Sequence, residues 1–322
     1  MMTQAGFAAI APRRIVIDTD PGQDDAVAIL LALASPELTV EAITTVAGNV
    51  PIVLTTKNAC ALLELAGRTD IPVFSGAARP LHRAPISAEH VHGETGMAGA
   101  NLPDPTLRPQ AIDAATWLVD MLRREPEGAI TLVCLGPMTN LALALTHAPD
   151  IASRIAGVVA MGGAQREGGN ITPTAEFNFF VDPHAARIVM RSGIPITLLP
   201  LDVTHRAIAT PARLAPIAAI GSPVTDMVVR MLGAEDRFEK QKYGWEGGAL
   251  HDPLTIGFLL WPELFSGRDC NVEIEVDAPL CVGQSVVDLW NVTDRVPNAL
   301  WINDVDSDAF YSLLTERLAL LD

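Results

Sequence analysis

Positive charge is scarce in this 322-residue sequence: 22 Lys and Arg stand against 38 Asp and Glu, a formal net charge of −16 and a pI near 4.7. Phosphate backbones reward clustered Lys and Arg, so nucleic-acid binding is excluded as the expected role. Long apolar runs are also missing. No uncharged stretch reaches the roughly 20 residues needed to span a bilayer, and Met1 to Pro12 lacks a cationic region ahead of a hydrophobic core. No membrane association is expected, and the cytoplasm is the default compartment. Cys60, Cys134, Cys270 and Cys281 form no CxxC pair, and three of them sit in apolar runs, so they read as reduced core residues. No repeat, low-complexity linker or defensible boundary appears. The chain therefore reads as one domain over 1–322, with residues 1–12 a flexible N-terminus.

What is present is an alternation of short apolar runs and helical spacing. Arg14 to Asp18 reads as a strand, and Asp24 to Ala34 follows as a helix after an acidic loop. Leu38 to Val46, Pro72 to Phe74, Ile130 to Cys134, Ile155 to Met161 and Ile196 to Leu199 read as further strands. Helices are expected at Ile52 to Leu65, Ile112 to Arg124 and from Met138. After residue 202 the chain looks more helical, with Pro223 to Phe238 and Pro253 to Leu260, then strand-like stretches from Val272 and Ala299 and a helix at Asp308 to Leu320. This pattern predicts an α/β fold with an open, mostly parallel sheet and helices on both faces. Ligands in such sheets bind outside the carboxyl ends of the strands. The segment 76–110, rich in Pro, Gly and His, breaks the rhythm and reads as a mobile active-site flap.

The densest chemistry lies in Asp18-Thr-Asp20-Pro-Gly-Gln-Asp24-Asp25, four carboxylates between a buried strand and a helix. A helix N-terminus offsets only about 0.3–1 kcal/mol per carboxylate, so an oxygen-seeking cation is the natural compensation. On a purely structural reading, Asp24 caps the helix and the others are solvated. His251-Asp252-Pro253 has the form of an N-cap followed by Pro at the first helical position, which explains it as a cap alone. Gly169-Asn170-Ile-Thr-Pro-Thr-Ala-Glu176-Phe-Asn178-Phe-Phe-Val-Asp182-Pro183 mixes amides and a carboxylate with aromatics. In an extended segment Glu176 and Asn178 face the same side and reach one sugar edge. Asp182 reads as a helix cap.

Taken together, DTDPGQDD, TTVAGN, LGPMTNLA, MGGA, GNITPTAEFNFFVDP and the late HDP resemble the inosine–uridine nucleoside hydrolase family, in family order from residue 14 to about residue 260. DVDSDAFYSLL near the C-terminus also has the family's look, so the resemblance covers nearly the whole chain. It implies the nucleoside hydrolase fold, assembly as a dimer or tetramer, and hydrolysis of the N-glycosidic bond of ribonucleosides. It implies Ca²⁺ bound by Asp20, Asp25 and Asp252 and by the main-chain carbonyl of Leu135, with ribose hydroxyls and a water completing the six to eight oxygens. Asp20 is then the general base. Asp24, Asn49 and Asn178 hold the lower ribose hydroxyls, Asn170 and Glu176 the 5′-hydroxyl, and Met161 lines the sugar pocket.

For the departing base the same resemblance points to His251 and to the flap residue His92. Tyr243 and Trp245 fall where family members place aromatic groups, and they either stack on the base, relay a proton, or are buried aromatics. Two rival readings stand beside this one. In a haloacid-dehalogenase-like phosphatase Asp18 and Asp20 start the motif, but position 22 is Gly where Thr or Val belongs, and Asp24-Asp25 is unexplained. The other rival is a non-catalytic nucleoside- or calcium-binding protein of the same fold.

Overall fold

The computed structural model describes residues 12–233 and 238–321. The flexible reading of residues 1–12 therefore lies almost wholly outside the described residues, as does part of the helix expected up to Phe238. Nine strands form one sheet: β1 (Arg13–Thr19), β2 (Leu38–Thr45), β3 (Val73–Ser75), β4 (Ile130–Cys134), β5 (Ile155–Met161), β6 (Ile196–Leu199), β7 (Phe265–Ile274), β8 (Ser285–Asp288) and β9 (Ala299–Val305). Their order is β3-β2-β1-β4-β5-β6-β9-β7-β8. The first six strands and β9 run parallel, while β7 and β8 complete one edge antiparallel.

Parallel strands covered on both faces must be apolar at every position rather than at alternate ones. ITLVC in β4 is buried throughout. Alternate side chains of β1 serve different cores: Ile15 and Ile17 join the cluster containing the helices at 23–33, 52–65 and 307–318. Val16 points into the other, with Leu118, Leu141, Val189 and the fully buried Trp301. The helix Gln23–Leu33 is apolar nearly all round because it lies inside the first cluster and not on the surface. Among the described residues no helix is long and apolar enough to cross a membrane.

The first six strands follow a doubly wound order, and the direction of winding reverses between β1 and β4. At such a reversal the loops leaving two adjacent strands diverge and open a crevice at the carboxyl edge. Here those loops carry Asp20 to Asp25 after β1 and Leu135 after β4. The two are stitched by Leu135 N donating to Asp18 O at 2.7 Å.

Four local readings change. Gly22, not Asp24, is the N-cap residue of the first helix, so Asp24 falls in its first turn. Glu176 and Asn178 are not in an extended segment: Glu176 caps the helix Phe177–Val181, its carboxylate accepting from the backbone N–H of Asn178 and Phe179. The segment 76–110 contains a helix, Glu89–His92. The strand expected from Val272 starts earlier, at Phe265.

Asp182 caps the helix Pro183–Met190 through Ala185 N, as expected, and also takes Leu81 N at 2.9 Å and Thr139 Oγ1 at 2.8 Å. Together with the Arg83 guanidinium, which lies 4.2 Å over the Phe180 ring and donates to Phe180 O, it fastens Leu81 and Arg83 to the segments that follow β4 and β5.

Candidate active site

Asp20 leaves the end of β1 between two glycines. A Cβ at Gly48 would sit 2.1 Å from its Oδ2, and one at Gly136 2.2 Å from its Oδ1. Only the absence of a side chain in AGN and LGP lets backbone approach the carboxylate this closely. Asn49 N–H donates to Oδ2 at 2.7 Å, and the Asn49 amide donates to the Asp20 carbonyl at 3.1 Å and to Asp25 Oδ2 at 3.2 Å. Oδ1 is buried without a hydrogen-bond partner. A buried carboxylate oxygen left unsatisfied is costly, so a proton, a water or a cation at Oδ1 would be favoured.

Beside it, oxygens of Asp24, Asp25 and Asp252 lie within 4.8 Å of one another, all three side chains buried. Asp252 begins the helix Pro253–Leu260, yet its side chain makes no capping bond, which leaves the carboxylate to the cluster. Burial, then the charge of Asp25, holds Asp20 well above the ordinary carboxylate range. Burial and the Asp24 charge push Asp25 up to about 6. Burial, then Asp24, Asp25 and Asp20 in turn, hold Asp252 well above its usual value. Like charges drawn together in a dry pocket are stable only with protons or a cation among them. Every donor present is an oxygen, the donor chemistry of a hard cation. The trio that converges includes Asp24, and Asp20 stands next to it.

The sugar-facing residues of the sequence reading meet in one pocket that also takes in Asp24 and Asp252. Asn49, Leu135, Met161, Asn170, Glu176 and Asn178 all line it. The Asn178 amide donates to Leu135 O at 2.7 Å and to Met161 O at 3.2 Å, tying together the ends of β4 and β5. Both Glu176 oxygens accept backbone N–H groups, from Gly163, Asn178 and Phe179. Burial nonetheless lifts its carboxyl to about 7. Asn170 Oδ1 accepts from Phe177 N at 2.9 Å and so helps shape the same turn.

The other end of the pocket is aromatic. His92, His251 and Tyr243 line it, and Trp245 does not, being stacked behind Tyr243 at 4.5 Å between ring centroids. The structure adds His205, which sequence reasoning missed. His205 lines the pocket with its ring edge-on to Trp245 at 4.9 Å and 5.8 Å from His251. Its Nδ1 lies 3.2 Å from a Glu167 carboxylate oxygen.

Known proteins similar to this chain are numerous. Residues 15–312 match the family described as inosine-uridine preferring nucleoside hydrolase. A pyrimidine-specific ribonucleoside hydrolase of an Enterobacter strain is 47% identical over 95% of this chain and 97% of its own length. An uncharacterized protein of Schizosaccharomyces pombe is 50% identical over 96% and 99%. Among solved structures, a purine-preferring ribonucleoside hydrolase from Gardnerella vaginalis superposes with a TM-score of 0.89 at 29% identity, covering 96% of this chain and 99% of the other. A plant nucleoside hydrolase does so at 0.85 and 33% identity, with coverage of 96% and 99%. The acidic pocket at the sheet's switch point and these whole-length matches agree: the chain belongs to the inosine-uridine preferring nucleoside hydrolase family and is a nucleoside N-ribohydrolase.

Proposed function

We propose that this enzyme hydrolyses pyrimidine ribonucleosides to ribose and the free base, with one Ca²⁺ held by Asp20, Asp25, Asp252 and the Leu135 carbonyl. The observation that carries this reading is the buried convergence of carboxylates beside an unsatisfied Asp20 oxygen, in a pocket whose far wall is aromatic. The pyrimidine preference rests on the 47% identical ribonucleoside hydrolase, whose name specifies pyrimidines. Free, mostly buried cysteines fit a reducing cytoplasm, and a dimer or tetramer is the assembly proposed.

When bound, Ca²⁺ supplies fixed positive charge and open coordination positions for the ribose hydroxyls. Asp24, Asn49 and Asn178 hold the lower ribose hydroxyls, Asn170 and Glu176 the 5′-hydroxyl, and Met161 packs on the sugar. Water oxygen bonds to C1′ as the C1′–N bond breaks, and its proton passes to Asp20 acting as general base. The bond's electron pair leaves with the nucleobase, which takes a proton from His251, while His92 closes the pocket from the flap. Carboxylates nearby stabilise the positive charge that develops on the ribosyl ring, as in other glycoside hydrolyses.

Incubating the purified protein with uridine, cytidine, inosine and guanosine in calcium, and measuring free ribose, tests the assignment. Turnover of uridine and cytidine at least about ten-fold above the purines in kcat/KM is expected, about 1.4 kcal/mol of transition-state discrimination. A preference for inosine would overturn the pyrimidine assignment. Nucleoside binding without ribose release from any substrate would return the non-catalytic reading.

A further inference from the structure

The short helix that follows β6, Leu201–Thr204, was not singled out by any motif, yet Thr204 contacts His251 and His205 beyond it lines the pocket. Asp202 is buried, and its two carboxylate oxygens accept Gln165 N at 2.8 Å and Arg166 N at 2.6 Å, pinning the loop that carries Glu167. Glu167 in turn contacts His205. Between them Thr204, fully buried, places its Oγ1 2.7 Å from His251 Nδ1. The two segments are held in register by a bridge between Ile208 and Ala249 and by Leu250 N donating to Ala207 O at 3.0 Å.

We propose that Thr204 is a positioning residue for His251: its buried hydroxyl fixes the imidazole through Nδ1, so that Nε2 is the atom presented to the departing nucleobase. A hydroxyl donates to a bare ring nitrogen and accepts from a protonated one, so this contact survives both states of the ring. Threonine is branched at Cβ and stiff about χ1, which holds its oxygen in place better than a longer side chain would. A proton donor must sit within hydrogen-bond reach of its target in the transition state, and a loosely held ring loses that geometry first. The tilted ring of His205, 5.8 Å away between centroids and itself held by Glu167 and Trp245, flanks the same ring from the side. This inference rests on the reading of His251 as the group that protonates the base.

The test compares Thr204→Val, Thr204→Ala and Thr204→Ser with the wild type on uridine and on 4-nitrophenyl riboside, whose leaving group departs without a proton. T204V and T204A are expected to lose on the order of 10–100-fold in kcat on uridine, and at least about ten-fold less than that on the aryl riboside. T204S, which keeps the hydroxyl, is expected within about three-fold of wild type on both. Equal losses on the two substrates, or a serine variant no better than valine, would show a merely structural contact and overturn the proposal. Nitrogen-15 spectra of the His251 ring at fixed pH read the same bond without turnover: the Nδ1 signal is expected to move in T204V and return in T204S. An unmoved signal overturns it even in a protein that hydrolyses nothing. Failure of wild-type protein to release ribose is the separate failure of the proposed activity.

Discussion

Asp20→Asn is expected to lower kcat on uridine by about 10³–10⁴-fold, with KM changed only a few-fold, since removing a general base removes a contribution of that size. That loss corresponds to about 4–5.5 kcal/mol of transition-state stabilisation. The substitution suits the question because the pocket is shaped for this side chain. Gly48 and Gly136 crowd both oxygens, and an asparagine of the same outline keeps an oxygen for Asn49 N–H. It also removes one of the like charges that raise Asp252, so the variant is expected to unfold no earlier than the wild type once stripped of cations. A few-fold loss in kcat, or a large rise in KM at unchanged kcat, would take Asp20 out of the base role.

Stripping the protein with a chelator is expected to reduce activity to background, and added calcium to restore it. The same treatment has a stability signature whose sign follows from the buried carboxyls. In the cation-free protein Asp25 titrates near 6, against an ordinary value of 3.8, because burial and then Asp24 disfavour its charge. Asp20 and Asp252 are raised as well, by burial and by their neighbours' charges.

A carboxyl whose folded-state pKa is raised binds more protons folded than unfolded between the two values. The contribution of Asp25 therefore falls as pH rises from about 4 to about 6. Bound calcium replaces those protons. The difference in Tm between loaded and stripped protein is thus expected to widen from pH 5 to pH 8. At calcium about a hundred-fold above its Kd the loaded form gains about 2.7 kcal/mol, several degrees in Tm. A gap that is constant with pH, or that narrows towards pH 8, would mean that the cluster does not exchange protons for a cation.

Much of the fold was legible where a strand is buried along most of its length or a helix runs several turns: RIVID, ITLVC and the helix at Ile52–Leu65 stand where periodicity puts them. The acidic loop was legible for a different reason, since four carboxylates behind a buried strand have few innocent explanations. What escaped were elements decided by single capping contacts. FNFFV carries aromatic and β-branched residues suited to a strand, but Glu176 satisfies the first N–H groups and turns the segment helical. Asp182 read as a cap alone because nothing local reveals that Leu81, 101 residues earlier in the chain, donates to it.

Thr204 was invisible for the same reason, being 47 positions from the His251 it contacts, and so was its neighbour His205. One signal was available. Asp202, Val203, Thr204 and His205 follow directly on the carboxyl end of a parallel strand, β6, and polar residues there are placed for ligand.

The aspartate pocket is tested most directly by titrating calcium into chelator-stripped wild-type protein in a calorimeter at pH 8, with Asp252→Asn as control. One calcium per chain is expected for the wild type, with binding weakened at least about ten-fold in D252N. A flat titration for the wild type, under conditions where the protein is folded, would contradict the cation site on which the proposed chemistry depends.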